Sequence, residues 1–250
     1  MKCHRKALLV LGAALLFLQA RPAWAMHIAE GILPLGWAAL WWAAALPFVA
    51  YGLHRLRLLA RQDLAVKPLV AFLAAAIFIL SAMPIPVPIA GTCSHPAGTG
   101  VAAILVGPGI SVVITWVVLL IQALFLAHGG ISTLGANTMT MGVAGSYAGY
   151  LVFRGVRAAG AGLAVAGFAA GLAADWATYA GTSAILASGI RGNAPFLPLL
   201  GKLVLAFVPT QLPIGILEGF LTSGAIMLLY RKRPDLLIKM RAIRGGEAAP

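Results

Sequence analysis

Three histidines carry the chemistry of this sequence: His27 in AWAMHIAEG, His95 in GTCSHPAGTG and His128 in AHGG. Imidazole is the commonest protein ligand for transition metals. His27 is the most informative, because Met26 precedes it and the tripeptide Ala23-Trp24-Ala25 precedes Met26. Were the chain cut after Ala25, Met26 would carry a free α-amine. That amine, the backbone amide nitrogen of His27 and the His27 imidazole would then close two chelate rings on one metal ion. One further imidazole would complete a four-nitrogen, square-planar or tetragonal set, which suits Ni(II) or Cu(II). Mg²⁺ and Ca²⁺ prefer oxygen ligands. The Met26 thioether is a weaker ligand, and such a methionine is more often packed.

A lone histidine near a membrane interface is ordinarily just a hydrogen-bonded residue, so the surroundings matter. Gly91, Gly98 and Gly100 around His95 permit tight turns and close backbone approach, and Pro96 is itself the stiffened position, directly after His95. Such a loop holds an imidazole without a long tether. His128 stands at the end of an apolar segment, where capping, supporting the ligands from behind and direct metal binding are all open to it.

The cut itself is written in the first residues. Lys2, Arg5 and Lys6 form a positive start, Ala7 to Ala20 an apolar run, and Ala23-Trp24-Ala25 a small-x-small cleavage signal. The run falls short of the about 20 residues a spanning helix needs. Residues 1–25 are therefore expected to be a cleavable signal peptide, with Ala25 and Met26 flanking the scissile bond. Cys3 precedes the apolar run, so it is not a lipoprotein cysteine. Once it is removed, Cys93 stands alone and no structural disulfide is expected in the mature chain.

The remaining elements must place those histidines. The 250-residue chain is 61% hydrophobic and 10% charged, with a mean hydropathy of +0.96. A soluble domain carries about 25% charged residues, so this is an integral membrane protein. Its net charge of +12 would suggest nucleic acid in a soluble protein. Here the basic residues fall in short connectors, where the positive-inside rule places them, and no nucleic-acid partner is expected.

Apolar segments lie at about residues 36–53, 67–83, 97–107, 110–127, 138–153, 160–187 and 199–230. The third, about 11 residues long, cannot span a core of about 30 Å at 1.5 Å per residue. It reads as a short or re-entrant helix buried among the others. Charge decides whether it counts as a crossing. With the N-terminus outside, the basic connector HRLRLLARQDLAVK lies inside, and PIPVPIAGTCSHP, without Lys or Arg, lies outside. Counting the third segment puts AHGGISTLGAN outside, and puts Arg154, Arg157 and the tail RKRPDLLIKMRAIR inside; only Arg191 and Lys202 run against the trend. The expectation is an all-α membrane protein of about seven transmembrane helices, one of them short or re-entrant, with the N-terminus outside and the C-terminus cytoplasmic. Residues 26–230 form the membrane domain and 231–250 a basic cytoplasmic tail. His27, His95 and His128 then share the outer face, although none of them entered the count. His54 lies in the basic connector.

Buried polar residues need partners. Asp175 in LAADWATYAG and Glu218 in PIGILEGFL are intramembrane carboxylates, costly enough to suggest function. Ion or proton transport and structural pairing, for example with Lys202 or a helix terminus, stay open for both. Asn137 and Gln211 are expected to bond between helices, and the many Gly and Ala residues to allow close packing. No G-x-x-x-x-G-K-[ST], H-E-x-x-H or C-x-x-C-H occurs, so the chain has no phosphate loop, zincin site or attached c-type haem. It reads as a non-catalytic capture protein that needs another subunit for energy. The competing classes are a proton-coupled carrier working through Asp175 and Glu218, and an intramembrane metalloenzyme using the three histidines.

Beyond these readings, the stretches MHIAEGILP, PIPVPIAGTCSHPAGTGVAAILVGPG, QALFLAHGGISTLGANTMTMGVAG, DWATYAGTSAILASG and FVPTQLPIGILEGFLT, spread over nearly all of residues 26–230, resemble the CbiM/NikM family. These are the substrate-capture (S) components of energy-coupling-factor transporters for cobalt and nickel. The resemblance implies capture of Co²⁺ from outside, or of Ni²⁺ in the closely similar nickel members, with cobalt uptake serving cobalamin biosynthesis. It implies metal ligation by the amine of Met26, the amide and imidazole of His27, and His95, with Ser94, His128 and Asn137 shaping the pocket. It also implies a transmembrane coupling subunit, two ATP-binding-cassette ATPases and a small accessory membrane subunit as partners, in the bacterial cytoplasmic (inner) membrane. Many members begin at the Met-His itself, so the signal sequence here puts weight on correct cleavage.

Overall fold

The structure is a computed structural model that describes residues 27–82, 85–87 and 92–243. The expected signal peptide 1–25, the cleavage point at Ala25 and Met26, the Met26 ligand and Gly91 lie outside the described residues, as do residues 244–250 of the tail.

Among the described residues, each of the seven apolar segments is largely helical. In chain order these are α1 (Leu35–Gln62), α2 (Val66–Ser81), a hairpin of β1 (Ile85–Val87) and β2 (Thr92–Ser94), α3 (Thr99–Val106) and α4 (Pro108–Phe125). Then come α5 (Leu134–Asn137), which continues through a π-helical stretch (Thr138–Gly145) into α6 (Ser146–Ala158), α7 (Leu163–Ile190), α8 (Phe196–Lys232) and α9 (Pro234–Lys239). Among the described residues, α1, α4, α7 and α8 are long and apolar enough to cross a membrane. The protein is thus a helical membrane protein.

Several boundaries differ from the hydropathy reading, each for a local reason. α1 runs on to Gln62 because Arg and Leu are good helix formers whether or not lipid surrounds them. The Pro-rich connector 84–96 holds a short antiparallel hairpin, pairing Ile85 with Ser94 and Val87 with Thr92, where a loop was expected. α3 has only eight residues and every one from Ala102 to Val106 is buried. It spans about 12 Å and sits inside protein, with only Val101 partly exposed, as a short interior helix must. Gly107, at φ +84°, breaks the chain between α3 and α4, and Pro108 opens α4 where its missing N–H is no loss. The expected tail is partly ordered: residues 231–232 belong to α8, and α9 folds back so that Leu237 is buried and Lys239 pairs with Asp63 in the α1–α2 turn.

The helices alternate in direction, and this gathers their ends. The N-termini of α1, α3 and α5 and the C-termini of α2 and α4 meet at one end, where His27, Ser81, His95, Gln122 and Asn137 are buried together. At the other end lie the basic connectors and α9. Close helix approach uses small residues: a side chain at Gly52 of α1 would run into the Gly109 carbonyl and Val113 of α4. The main core packs Ile104, Leu105, Ile110, Ile114, Met141, Phe153 and Ile226 from α3, α4, the π-helical stretch, α6 and α8.

Candidate metal centre

Three chain segments converge at the gathered end, each delivering one histidine. His27 enters on the segment before α1, His95 on the turn between β2 and α3, and His128 on the turn after α4. The ring centroids lie 4.8 Å apart for His27 and His95, 4.7 Å for His27 and His128, and 5.4 Å for His95 and His128. One ring nitrogen from each lies within 4.8 Å of the others. His27 and His95 are buried, and His128 is half-buried. His128 thus stands in the cluster itself.

Each segment is held by identifiable contacts. The N-terminal segment is clamped by Asn137, whose Oδ1 accepts from the Ile28 N–H at 2.8 Å while its Nδ2 donates to the Ile28 carbonyl at 3.1 Å. Thr133 Oγ1 donates to the same carbonyl at 2.5 Å, and Glu30 accepts from the Ser132 N–H at 3.0 Å. This explains the glycine after His128. Gly129 has φ +84°, and a Cβ there would lie 3.2 Å from His27 Cβ and 3.3 Å from Asn137 Nδ2, so the AHGG turn can carry the N-terminal segment only while this position lacks a side chain.

The His95 turn is tied to α7 and α8. Ser94 Oγ donates to Thr210 Oγ1 at 3.1 Å and accepts from Gln211 Nε2 at 2.7 Å. Glu218 accepts from the Ala97 and Gly98 N–H groups at 2.6 and 3.0 Å. Tyr179 OH donates to the His95 carbonyl at 3.4 Å. Of the two open readings for Glu218, the geometry gives pairing, with backbone N–H groups as its partners in place of Lys202. Asp175 is buried on α7, and neither of its carboxylate oxygens has a hydrogen-bond partner among the described residues. Asn137 and Gln211, expected to join helices, instead each bind a loop. Ser94 serves as a tether of that loop to α8.

The electrostatics favour lone pairs over protons. Burial, then the neighbouring His95 and His128, holds His27 well below the ordinary imidazole range. Burial pulls His95 down to about 3, against the hydrogen bond to Pro96 O, and burial lowers His128 too. At neutral pH all three rings are uncharged, the form that binds metal. His95 Nδ1 lies 3.0 Å from the Pro96 carbonyl. A carbonyl only accepts, so Nδ1 carries the hydrogen and Nε2 keeps the lone pair. His128 Nε2 is buried with no hydrogen-bond partner among the described residues. The cluster is chemically a set of neutral nitrogen donors, suited to a borderline transition-metal cation.

Sequence reasoning singled out His27, His95 and His128, with Asn137 and Ser94 added by the resemblance. It passed over Gln122, Ser81, Thr133 and Glu30. Gln122 left a readable signal, an amide inside the apolar run 110–127. The other three act through contacts between residues far apart in sequence.

The model of the family described as CbiM, cobalt uptake substrate-specific transmembrane region, matches residues 27–236. A cobalt transport protein CbiM from Geobacter sulfurreducens is 66% identical over 95% of this chain and 68% of its own length. Another, from Sorangium cellulosum, is 56% identical over 88% of this chain and 97% of its own. A crystal structure described as a truncated transition metal transporter superposes with a TM-score of 0.73 at 25% identity, covering 82% of this chain and 99% of that one.

Proposed function

The chain belongs to the CbiM family, and from that premise we propose that it is the substrate-binding membrane subunit of an ATP-driven energy-coupling-factor transporter, capturing Co²⁺ from outside the cell for uptake and cobalamin biosynthesis. The observation that carries the reading is the convergence of His27, His95 and His128, each presenting a ring nitrogen within 4.8 Å of the others. The metal is cargo, and the chain is a transport component without catalytic machinery of its own. It has no phosphate loop, so ATP is hydrolysed by two ATP-binding-cassette subunits, joined through a transmembrane coupling subunit and a small accessory membrane subunit.

On this reading the chain crosses the bacterial inner membrane seven times, α3 being the short third leg. The histidine end faces out and the basic end faces the cytoplasm, in keeping with the positive-inside rule. Signal removal after Ala25 frees the Met26 amine. Met26 and His27 then supply three nitrogens and His95 a fourth. Ni²⁺ is the alternative cargo, because the same nitrogen set binds both ions and binds Ni²⁺ the more tightly. Metal uptake by cells expressing the whole complex therefore decides between them, where affinity does not.

The test uses calorimetric titration of purified protein with Co²⁺ and Ni²⁺, together with cellular uptake. His27→Ala and His95→Ala each abolish uptake and stoichiometric binding. One residue added before Met26 does the same. Unchanged binding and uptake after that addition would refute the amine ligand.

A further inference from the structure

Gln122 is fully buried near the end of α4, and nothing in the capture reading uses it. Both ends of its amide are engaged. Oε1 lies 3.1 Å from His27 Nε2, and Nε2 donates to Ser81 Oγ at 2.8 Å. Ser81 Oγ in turn lies 2.6 Å from the Ile77 carbonyl oxygen. Two oxygens that close share a hydrogen, and the carbonyl has none to give. The serine hydroxyl is therefore spent on Ile77, and only its lone pair faces Gln122. The amide must meet that lone pair with its NH₂ group. Its oxygen is left facing His27, and an oxygen can only accept. His27 Nε2 consequently carries the ring hydrogen, and Nδ1 holds the lone pair.

The choice matters because the two nitrogens are not equivalent for a histidine that also ligates through its own backbone. A metal on the His27 amide nitrogen can be closed by Nδ1 in a six-membered ring through Cα, Cβ and Cγ. Nε2 lies across the imidazole and cannot close such a ring. The wrong tautomer would offer the metal an N–H.

We propose that Gln122 is a positioning residue for metal capture: relayed from the Ile77 carbonyl through Ser81, it locks His27 into the tautomer whose Nδ1 can chelate together with its own amide nitrogen. This rests on the capture reading, but the tautomer is a property of the metal-free protein and is measured apart from it. The relay makes the α2 C-terminus part of the site, although no α2 side chain touches the metal.

The experiment is ¹⁵N NMR of histidine-labelled, metal-free full-length protein in detergent, with the His27 signal assigned by its loss in His27→Ala. It is paired with Ni²⁺ titration of wild type, Gln122→Leu and Gln122→Glu. The wild-type spectrum should show His27 with the hydrogen on Nε2. Gln122→Leu should mix the tautomers and lower Ni²⁺ affinity about 10- to 100-fold, the range for removing a partner behind a ligand. Gln122→Glu still presents an acceptor to His27, in either protonation state, and should restore both tautomer and affinity. A wild-type His27 carrying its hydrogen on Nδ1 would overturn the proposal. So would a Gln122→Leu variant that loses affinity with its tautomer unchanged, since the role would then be structural only. If the tautomer is as stated but wild type binds no metal, the capture reading fails and the relay stands.

Discussion

Asn137→Ala tests whether the N-terminal segment is a docked part of the metal site. Asn137 imitates a neighbouring strand: it accepts from the Ile28 N–H at 2.8 Å and donates to the Ile28 carbonyl at 3.1 Å. The truncation removes both bonds with unequal results. The carbonyl keeps Thr133 Oγ1 at 2.5 Å, so losing its Asn137 bond costs about 1 kcal/mol. The Ile28 N–H is buried without a substitute, which costs about 2 kcal/mol more. Undocking thus becomes easier by about 3 kcal/mol, about 100-fold. Part of this is absorbed where wild type is already firmly docked without metal, so Co²⁺ or Ni²⁺ affinity should fall about 10- to 100-fold in calorimetric titration. Residues 27–30 join the bundle through Ile28, which packs in a small cluster with Leu33, Ala136 and Ile185 apart from the main core, so the melting temperature of the metal-free protein in detergent should move by only a few degrees. Affinity within threefold of wild type would refute the clamp. A collapse in melting temperature equal to that of a core variant would refute the claim that the segment docks separately from the bundle.

Two further outcomes follow from packing and charge. Gly52→Ala forces a methyl against the Gly109 carbonyl and Val113. It should destabilise the α1–α4 contact by about 1–3 kcal/mol, read as a lower melting temperature with metal affinity preserved in the molecules that remain folded. In acid, burial keeps His95 unprotonated to about pH 3, whereas in the unfolded chain it takes up a proton near its ordinary value of about 6.5. Below that value the unfolded state binds more protons, so stability falls as pH falls, by about 1.4 kcal/mol per pH unit for this residue. Metal-free wild type should therefore lose melting temperature relative to His95→Gln between pH 6.5 and 4. A constant difference would refute it.

The fold was legible where one physical variable decides. Apolar content marked seven helical stretches but neither α5 nor α9, and the absence of Lys and Arg marked the histidine end. The interior placement of α3, with seven of its eight residues buried, was announced by its length. Hydropathy could not mark the end of α1, because Arg55 and Arg57 continue a helix as readily as leucine does. Nor could it reveal the π-helical stretch in the run 138–145, where the helix widens beside the site without any change in composition. Within the site, the three histidines were visible and the resemblance added Asn137 and Ser94, but the other supports were not. From its sequence neighbourhood Glu218 reads equally as a transport carboxylate or as half of a structural pair. Only the approach of residues 97 and 98, far away in the chain, shows it as the clamp of a loop. Gln122 and Ser81 share a hydrogen bond across 41 positions, a distance no local pattern spans.

The brevity and burial of α3 bear on how the molecule is made. A span of about 12 Å, exposed only in part and only at Val101, is too short to partition into a bilayer by itself when it leaves the insertion machinery. It must wait for α7 and α8, which are synthesised later and against which its loop is pinned through Tyr179, Gln211 and Glu218. The His95 turn is therefore among the last pieces to settle. A chain released before α8 is complete would carry its histidines but lack the cradle that brings them together. On the proposed capture reading, metal competence then reports on completion of the whole chain, and an unfinished copy in the membrane does not sequester the ion.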